Sequence, residues 1–321
     1  MANTTLTQLP ANIQGFYDRL LLTRPEEMLV MDRFGQARTL PANSGTKINF
    51  RRYSNLAPAG VLTEGVTPAG SQLSATDISA TVLQYGDFVT LTDQIEMHGL
   101  DNTVASAVEI LSYQMAETVE TAHRDAIVPN LANKVFIASN EAATVAGDII
   151  TGAAIKAAIL QLKSQNAMKF TPMVGATSAT GTTPVRAAYW GVIHPDVVFD
   201  LEDQAGFISA EHYASTKTLT DGEVGAYKDV RFVETNKAYV NADGGALAVD
   251  TYHTAIFGKE CYGIVSVRGK GNGSVIVKPL GSGDDALNQR STVGFKVSTV
   301  AKILNDQFGV SIVSASSQGA N

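Results

Sequence analysis

A single cysteine, Cys261, in 321 residues rules out any disulfide within the chain and points to a reducing compartment. Charge is also scarce: Asp, Glu, Lys and Arg make up only 17% of the residues, a thin coat for a protein bathed in water on every side. So lean a surface suggests that neighbours cover much of it. No apolar run approaches the ~18 residues that cross a bilayer as a helix. Met1–Thr5 lacks the charged segment and apolar run of a secretory leader, so neither a membrane span nor a signal peptide is expected. There is no repeat period and no low-complexity tail. Hydrophobic residues still reach 45%, enough for a buried core, and the length admits two ordinary domains or one elaborated one.

The formal net charge of −7 is unevenly spread: residues 1–60 sum to +3 and the remainder to −10. A cationic first segment on an acidic body fits an arm lying across an adjacent copy, and a solvated basic face is the alternative reading. Residues 1–45 read as irregular. Pro10, Gly15, Pro25, Gly35, Pro41 and Gly45 punctuate them, leaving room for a short helix at Asp18–Leu22 or Glu26–Arg33.

From Thr46 the pattern turns to strands. Thr46–Tyr53 and Ile78–Thr92 are rich in β-formers and flank a Pro/Gly loop, which predicts a long hairpin with a polar tip. Such a hairpin buries too little apolar surface to stand alone. Asp101 or Asn102 then caps a helix predicted to run to Val128, with Pro129 barring continuation. Val104, Val108, Leu111, Met115, Val119, Ala122 and Ala126 form one apolar stripe along a rod of about 40 Å. Glu120 and Arg124 are expected as an exposed pair worth a few tenths of a kcal/mol. Further along, Ile155–Gln165 and Asp196–Glu202 read as helices and Thr171–Pro184 as a loop. Ala187–Ile193, Asp229–Glu234, Ala255–Phe257, Ile264–Val267, Ser274–Lys278 and Thr292–Leu304 read as strands. Strands, a long helix, then mixed elements predict an α+β fold rather than a βαβ array.

Reactive constellations are missing. Gly263 to Gly269-Lys270 has one residue too many for a phosphate loop, and Gly271 stands where Ser or Thr would hold magnesium. Gly281-Ser282-Gly283-Asp284-Asp285-Ala286 has dinucleotide-fingerprint spacing but sets two carboxylates where pyrophosphate would lie, so it reads as a turn. His98, His123, His194, His212 and His253 show no metal-binding spacing on a predicted helix. Glu96 with His98 on a strand face, or His194 with Asp196 across a turn, supplies two ligands at most. There is no Gly-x-Ser-x-Gly elbow, and Cys261 reads as a small buried residue. No catalytic residue, cofactor or metal site is expected. Arg51-Arg52 suits contact with another subunit better than nucleic acid, since no wider basic patch surrounds it.

Several blocks carry a resemblance. Leu62-Thr63-Glu64-Gly65-Val66-Thr67-Pro68 is followed by Ala80-Thr81-Val82-Leu83-Gln84-Tyr85-Gly86. Tyr189-Trp190-Gly191-Val192-Ile193-His194-Pro195-Asp196 forms a second block. Gly222-Glu223-Val224-Gly225 leads to Val230-Arg231-Phe232-Val233-Glu234-Thr235, and Gln289-Arg290-Ser291-Thr292-Val293-Gly294-Phe295-Lys296 closes the series, with Phe295 in place of an expected Trp. In order and spacing, over roughly residues 45 to 305, the chain resembles major capsid proteins of tailed bacteriophages with the Hong Kong 97-type fold, in particular the N-four-like branch.

The resemblance implies an arm (1–45), an extended hairpin loop over a neighbour (46–98), a spine helix of a peripheral domain (99–138), an axial domain around five- and six-fold axes (139–276), and C-terminal strands returning to the peripheral domain (277–321). It implies a virion subunit assembled in the host cytoplasm into hexamers and pentamers. Its partners would be a portal, a decoration protein and packaged DNA bound without sequence specificity, with no membrane. An acidic body would not trap that DNA. Some relatives fuse a scaffolding segment to the N-terminus; here about 45 residues precede the hairpin, which implies a separate scaffolding protein. Some relatives also weld subunits through a lysine on the extended loop, yet Tyr53 to Met97 contains no lysine. Cohesion is then expected to be non-covalent, with Arg51, Arg52 and Glu64 as candidate intersubunit contacts. The alternatives are an encapsulin-like nanocompartment shell, which uses the same fold, and an enzyme with an unrecognised site.

Overall fold

The computed structural model describes residues 29–41, 44–54, 56–62, 64–65, 67, 70–98, 103–170, 187–212, 220–267, 273–281 and 287–318. A four-residue helix α1 (Met31–Phe34) leads into β1 (Gln36–Leu40), the paired strands β2 (Lys47–Tyr53) and β3 (Ala75–Thr81), then β4 (Leu83–Thr92), α2 (Asp93–His98) and the long helix α3 (Thr103–Ile127). There follow β5 (Asn133–Phe136), α4 (Gly152–Ser164), β6 (Tyr189–Ile193), α5 (Pro195–Glu202), β7 (Phe207–Ser209), β8 (Glu223–Tyr227) and β9 (Val230–Glu234). The chain closes with β10 (Val240–Asn241), β11 (Thr251–Phe257), β12 (Tyr262–Val267), β13 (Ser274–Lys278), β14 (Arg290–Ile303) and β15 (Gly309–Ser314).

Strand β14 organises the first sheet. Its β-branched and aromatic residues run for 14 positions, with β4 antiparallel along one edge and β13 and β12 end to end along the other. β1 adds to β12 in parallel. Alternation sends Val293, Phe295 and Val297 to one face, where they meet Val108, Leu111, Met115 and Val119 of α3. Burying each side chain of this kind contributes on the order of 2 kcal/mol before entropy is subtracted. Gly294 is needed on the opposite face, where a Cβ would lie 2.8 Å from Phe88 Cβ and 2.9 Å from the Asp87 carbonyl.

The second sheet runs β5-β15-β11-β6-β9-β8-β7, with β10 also on β11. Helices α4 and α5 cover one face. Ile155, Ile159 and Leu162 of the first and Val197 and Leu201 of the second pack on Tyr189, Phe232, Ile256 and Ile312. Thr151 caps α4 by accepting from the Ala154 amide, and His194 caps α5, with Pro195 preset for its first turn. The other face, with Trp190, Val192, Val233 and Phe257, meets Ile127 and Val128 at the end of α3, Tyr262, Ile264 and Ala301 of the first sheet, and Met31 and Phe34. This shared core fuses the two sheets.

Four expectations are corrected. Residues 29–40 are not irregular or free of core residues: Val30, Met31, Phe34 and Leu40 are buried, and β1 pairs with β12 because its N–H groups find a parallel edge. The rest of the arm, including a helix at Asp18–Leu22, lies outside the described residues, as do the caps Asp101 and Asn102, the Thr171–Pro184 loop, Gly269-Lys270 and the 282–286 turn. Ile78–Thr92 is not one hairpin strand. It divides after Thr81, since β3 pairs with β2 whereas β4 takes a ten-residue register on β14. The expected exposed pair of Glu120 with Arg124 is absent. Glu120 is buried and accepts from the Met31 amide, supplying the missing cap of α1, while Arg124 turns to Asp125 and the Lys237 carbonyl. The buried face of α3 therefore continues through Glu120, His123 and Ile127, and Ala122 and Ala126 are half-buried. Finally, Glu96 and His98 lie on helix α2 rather than on a strand.

Two outcomes follow from this packing. Met115→Asp, which buries a charge in the cluster under α3, is expected to cost several (about 3–5) kcal/mol and abolish soluble expression. Glu109→Gln on the exposed face should change the thermal midpoint little, within about 0.5 kcal/mol; equal damage from both would contradict the placement of the helix. Phe34→Ala should cost about 3–5 kcal/mol in denaturant titrations, because the ring is buried and stacked on Trp190 at 4.9 Å. An unchanged midpoint would show that the segment before β1 is not part of the core.

Candidate assembly surfaces

Strands β2 and β3 form a two-stranded sheet of their own, in register from Lys47↔Thr81 to Tyr53↔Ala75. Most of their side chains are exposed. The loop between them presents Leu56, Val61, Leu62 and Leu73, between 51% and 101% exposed, and Tyr53 adds a ring at its base. Apolar residues held out on a ribbon in this way mark a surface meant for contact.

The sequence-chosen Arg51, Arg52 and Glu64 all lie on this ribbon, but they do not come together. Arg51 reaches across to Asp77 with two contacts, Nε to Oδ1 at 2.8 Å and Nη2 to Oδ2 at 3.1 Å. That hydrogen bond, against burial and with a lesser contribution from the Arg51 charge, holds the Asp77 carboxyl below its ordinary value. Arg52, on the alternate face, donates to Asn305 Oδ1 at 2.8 Å and ties the ribbon to the body. A cleft of about 710 Å³ lies there, with Arg38, Phe50 and Glu260 on its walls. Glu64 is exposed beside Gly65, whose φ of +76° turns the tip.

A second surface escaped the sequence reading. On the face of the first sheet away from α3, Phe88 stands 67% exposed beside a cavity of about 530 Å³ walled by Ile276, Lys278 and Lys296. Its signal was the alternation in Gln84–Thr90, which puts Gln84, Gly86, Phe88 and Thr90 on one face of β4.

The titratable clusters are structural. Ser311 Oγ lies 3.2 Å from His253 Nδ1, and His253 Nε2 lies 2.9 Å from Glu141 Oε1, a Ser–His–acid chain. Ser311 and His253 are buried in the middle of the second sheet, so no substrate reaches the hydroxyl. The ring is also reversed, with Nδ1 rather than Nε2 toward the serine. Burial lowers the His253 pKa, with the Glu141 contact opposing. For Glu141, burial pushes upward but hydrogen bonds from Asn241, His253 and Thr251 prevail and its pKa falls. His123 spans Asp32 (2.6 Å) and Thr299 (2.8 Å), and His194 accepts from the Asp196 amide at 3.3 Å. The side chains of His98 and His212 lie outside the described set. Cys261 is buried, and burial pushes its thiol pKa far up, so it is a packing residue. Among the described residues no group of three or more His, Cys, Asp and Glu is placed to hold a metal ion, and no helix is long and apolar enough to cross a membrane.

The phage capsid protein family matches residues 75–312. No individual curated protein matches the chain at the level of sequence. Among solved structures, the capsid of Ralstonia phage GP4 is similar with a TM-score of 0.69 at 13% identity, over 90% of this chain and 88% of that one. The capsid of cyanophage Pam1 gives 0.64 at 14% identity, over 88% and 91%. The holo-SrpI encapsulin of Synechococcus elongatus PCC 7942 gives 0.55 at 8% identity, over 94% and 90%. At these identities the likeness speaks for the fold, and the family match for the kinship. The chain belongs to the phage capsid protein family, and its fold is the Hong Kong 97-type fold of shell-forming major capsid proteins.

Proposed function

We propose that copies of this chain assemble as hexamers and pentamers into an icosahedral head shell that encloses double-stranded phage DNA. The exposed β2–β3 ribbon carries the reading: its apolar loop residues find no cover in their own chain, and a neighbouring copy supplies one. In this reading residues 46–98 contain the loop that lies over the neighbour, with β4 as its anchor in the body. Residues 99–138 hold the spine of the peripheral domain, 139–276 form the axial domain, and 277–321 return to the peripheral domain. The +3 charge of residues 1–60 against −10 in the rest favours an arm laid on an adjacent acidic body. Arg51, Arg52 and Glu64 contribute charge pairing at that contact. A separate scaffolding protein and a portal are its partners, with a decoration protein as an optional addition. The shell forms in the host cytoplasm and holds its DNA without sequence-specific contacts.

The likeness to an encapsulin favours a second reading, a compartment that holds protein cargo. Particle contents separate the two. After nuclease treatment of the outside, shells from infected cells should retain protected double-stranded DNA; particles filled with protein and free of nucleic acid would support the compartment instead. A chain that stays a compact monomer even with its scaffold would overturn both.

Cohesion is non-covalent in this reading, because the loop has no lysine from Tyr53 to Met97 and Cys261 is buried. Burial of apolar loop area contributes roughly 25 cal/mol per Å². Mature particles boiled in denaturant should run as one band at the chain mass of 33.9 kDa. A ladder of multimers surviving reductant would contradict this.

A further inference from the structure

The segment Val30–Phe34 straps across the end of α3, and one carboxyl group holds it. Glu120 is 1% exposed, and its two oxygens lie 3.1 and 3.2 Å from the Met31 amide nitrogen. The strap is held from the other side by Tyr262, whose hydroxyl donates to the Met31 carbonyl at 2.6 Å. The groups around Glu120 pull its charge both ways: burial and Asp32 disfavour it, and the Met31 and Val30 amides and Arg124 support it. From the strap comes the like charge of Asp32, which His123 engages at 2.6 Å. On α3 itself, Arg124 is turned to Asp125, and Glu117 pairs with Lys237 at 2.5 Å. Glu234 lines the same cavity of about 460 Å³ that reaches Glu120, alongside Val30 and Lys237.

We propose that Glu120 is a proton-controlled latch for the N-terminal strap: protonated, it holds Val30–Phe34 on the core, and on losing its proton it lets that strap lift away. Burial, reinforced by Asp32 and opposed by the Met31 and Val30 amides and by Arg124, raises the Glu120 pKa from 4.5 to about 8. The sign follows from linkage. The docked state keeps a proton that the undocked state has lost above 4.5, so docking is strongest below that value and weakens until pH passes about 8. A carboxylate formed there draws water into a core that also contains Phe34, and the cheapest relief is to lift the strap. The consequence is a strap whose docking depends on pH. The latch itself belongs to the single chain and stands whether or not the shell reading holds.

The chain contains a built-in reporter. Trp190 is its sole tryptophan, and Phe34 of the strap stacks on it at 4.9 Å. The test follows the full-length chain from about pH 6 to about pH 9 by tryptophan emission and by amide hydrogen exchange of the Met31–Phe34 region, corrected for base-catalysed exchange, with far-UV circular dichroism to confirm that the body stays folded. The latch predicts a red shift and at least a tenfold loss of strap protection across that range, and Glu120→Gln should hold both constant. Strap protection independent of pH in the unmodified chain would overturn the proposal even if Glu120→Gln failed to fold. So would the same pH dependence in Glu120→Gln.

Discussion

A ribbon of two strands cannot hold itself together in water, because it has one ladder of hydrogen bonds and no face on which to bury side chains. Strands β2 and β3 are such a ribbon, and the loop they carry exposes Leu56, Val61, Leu62 and Leu73. That arrangement is costly for a monomer and sensible for a subunit. Much else in the molecule can be understood as the means of holding this ribbon out at a fixed angle. Arg52 ties its base to Asn305, and Phe50 lies against Gly263 of β12, so the ribbon leaves the body at a defined place. The 17% charge content and the exposed Phe88 on the first sheet fit the proposed covering of this surface by neighbours.

The body behind the ribbon is stiff for identifiable reasons. β14 carries hydrogen-bonded partners on both edges and α3 on its face, and the core around Trp190, Tyr262 and Ile127 locks the two sheets to each other. Several buried polar groups are paired, although the buried hydroxyls of Thr254 and Ser314 are not. Arg231 meets the buried Glu223 through both ends of its guanidinium and lies 4.6 Å from the Trp190 ring. Asp200 takes the Ser317 amide and hydroxyl, and His253 bridges Glu141 and Ser311. Such pairs add little net stability, but removing one partner is severe. They fix one arrangement of the sheets, which suits a part repeated many times in one assembly.

What was legible in the sequence was what local periodicity writes. The stripe from Val104 to Val119 marks the long helix, and the extended runs Thr46–Tyr53 and Thr292–Leu304 mark strands where β2 and β14 lie. Pairing was not legible. Nothing local in Ile78–Thr92 says that its first half joins β2 and its second half β14, because both choices satisfy the same β-propensity. Short elements such as β1 were hidden by the glycine and prolines around them. The polar end of the α3 stripe failed for a related reason: Glu120 and Arg124 have the spacing of an exposed pair, and it is the distant amides of Met31 and Val30 that meet the buried Glu120. As for the candidate contacts, Arg51, Arg52 and Glu64 lie on the ribbon and its loop; Arg51 reaches Asp77 on the facing strand and Arg52 reaches Asn305, pairings that spacing does not encode. Family kinship was readable from blocks of residues scattered over the chain.

The central claim is that the ribbon, tied to the body only at its base, is uncovered in the single chain and, in the proposed shell, covered by another copy. Comparing amide hydrogen exchange of residues 47–81 in unassembled chains and in closed particles tests it directly. The account predicts fast exchange through the ribbon in the free chain and protection at least tenfold higher in the particle, with β11 and β14 equally slow in both. Equal exchange of the ribbon in the two states would contradict it.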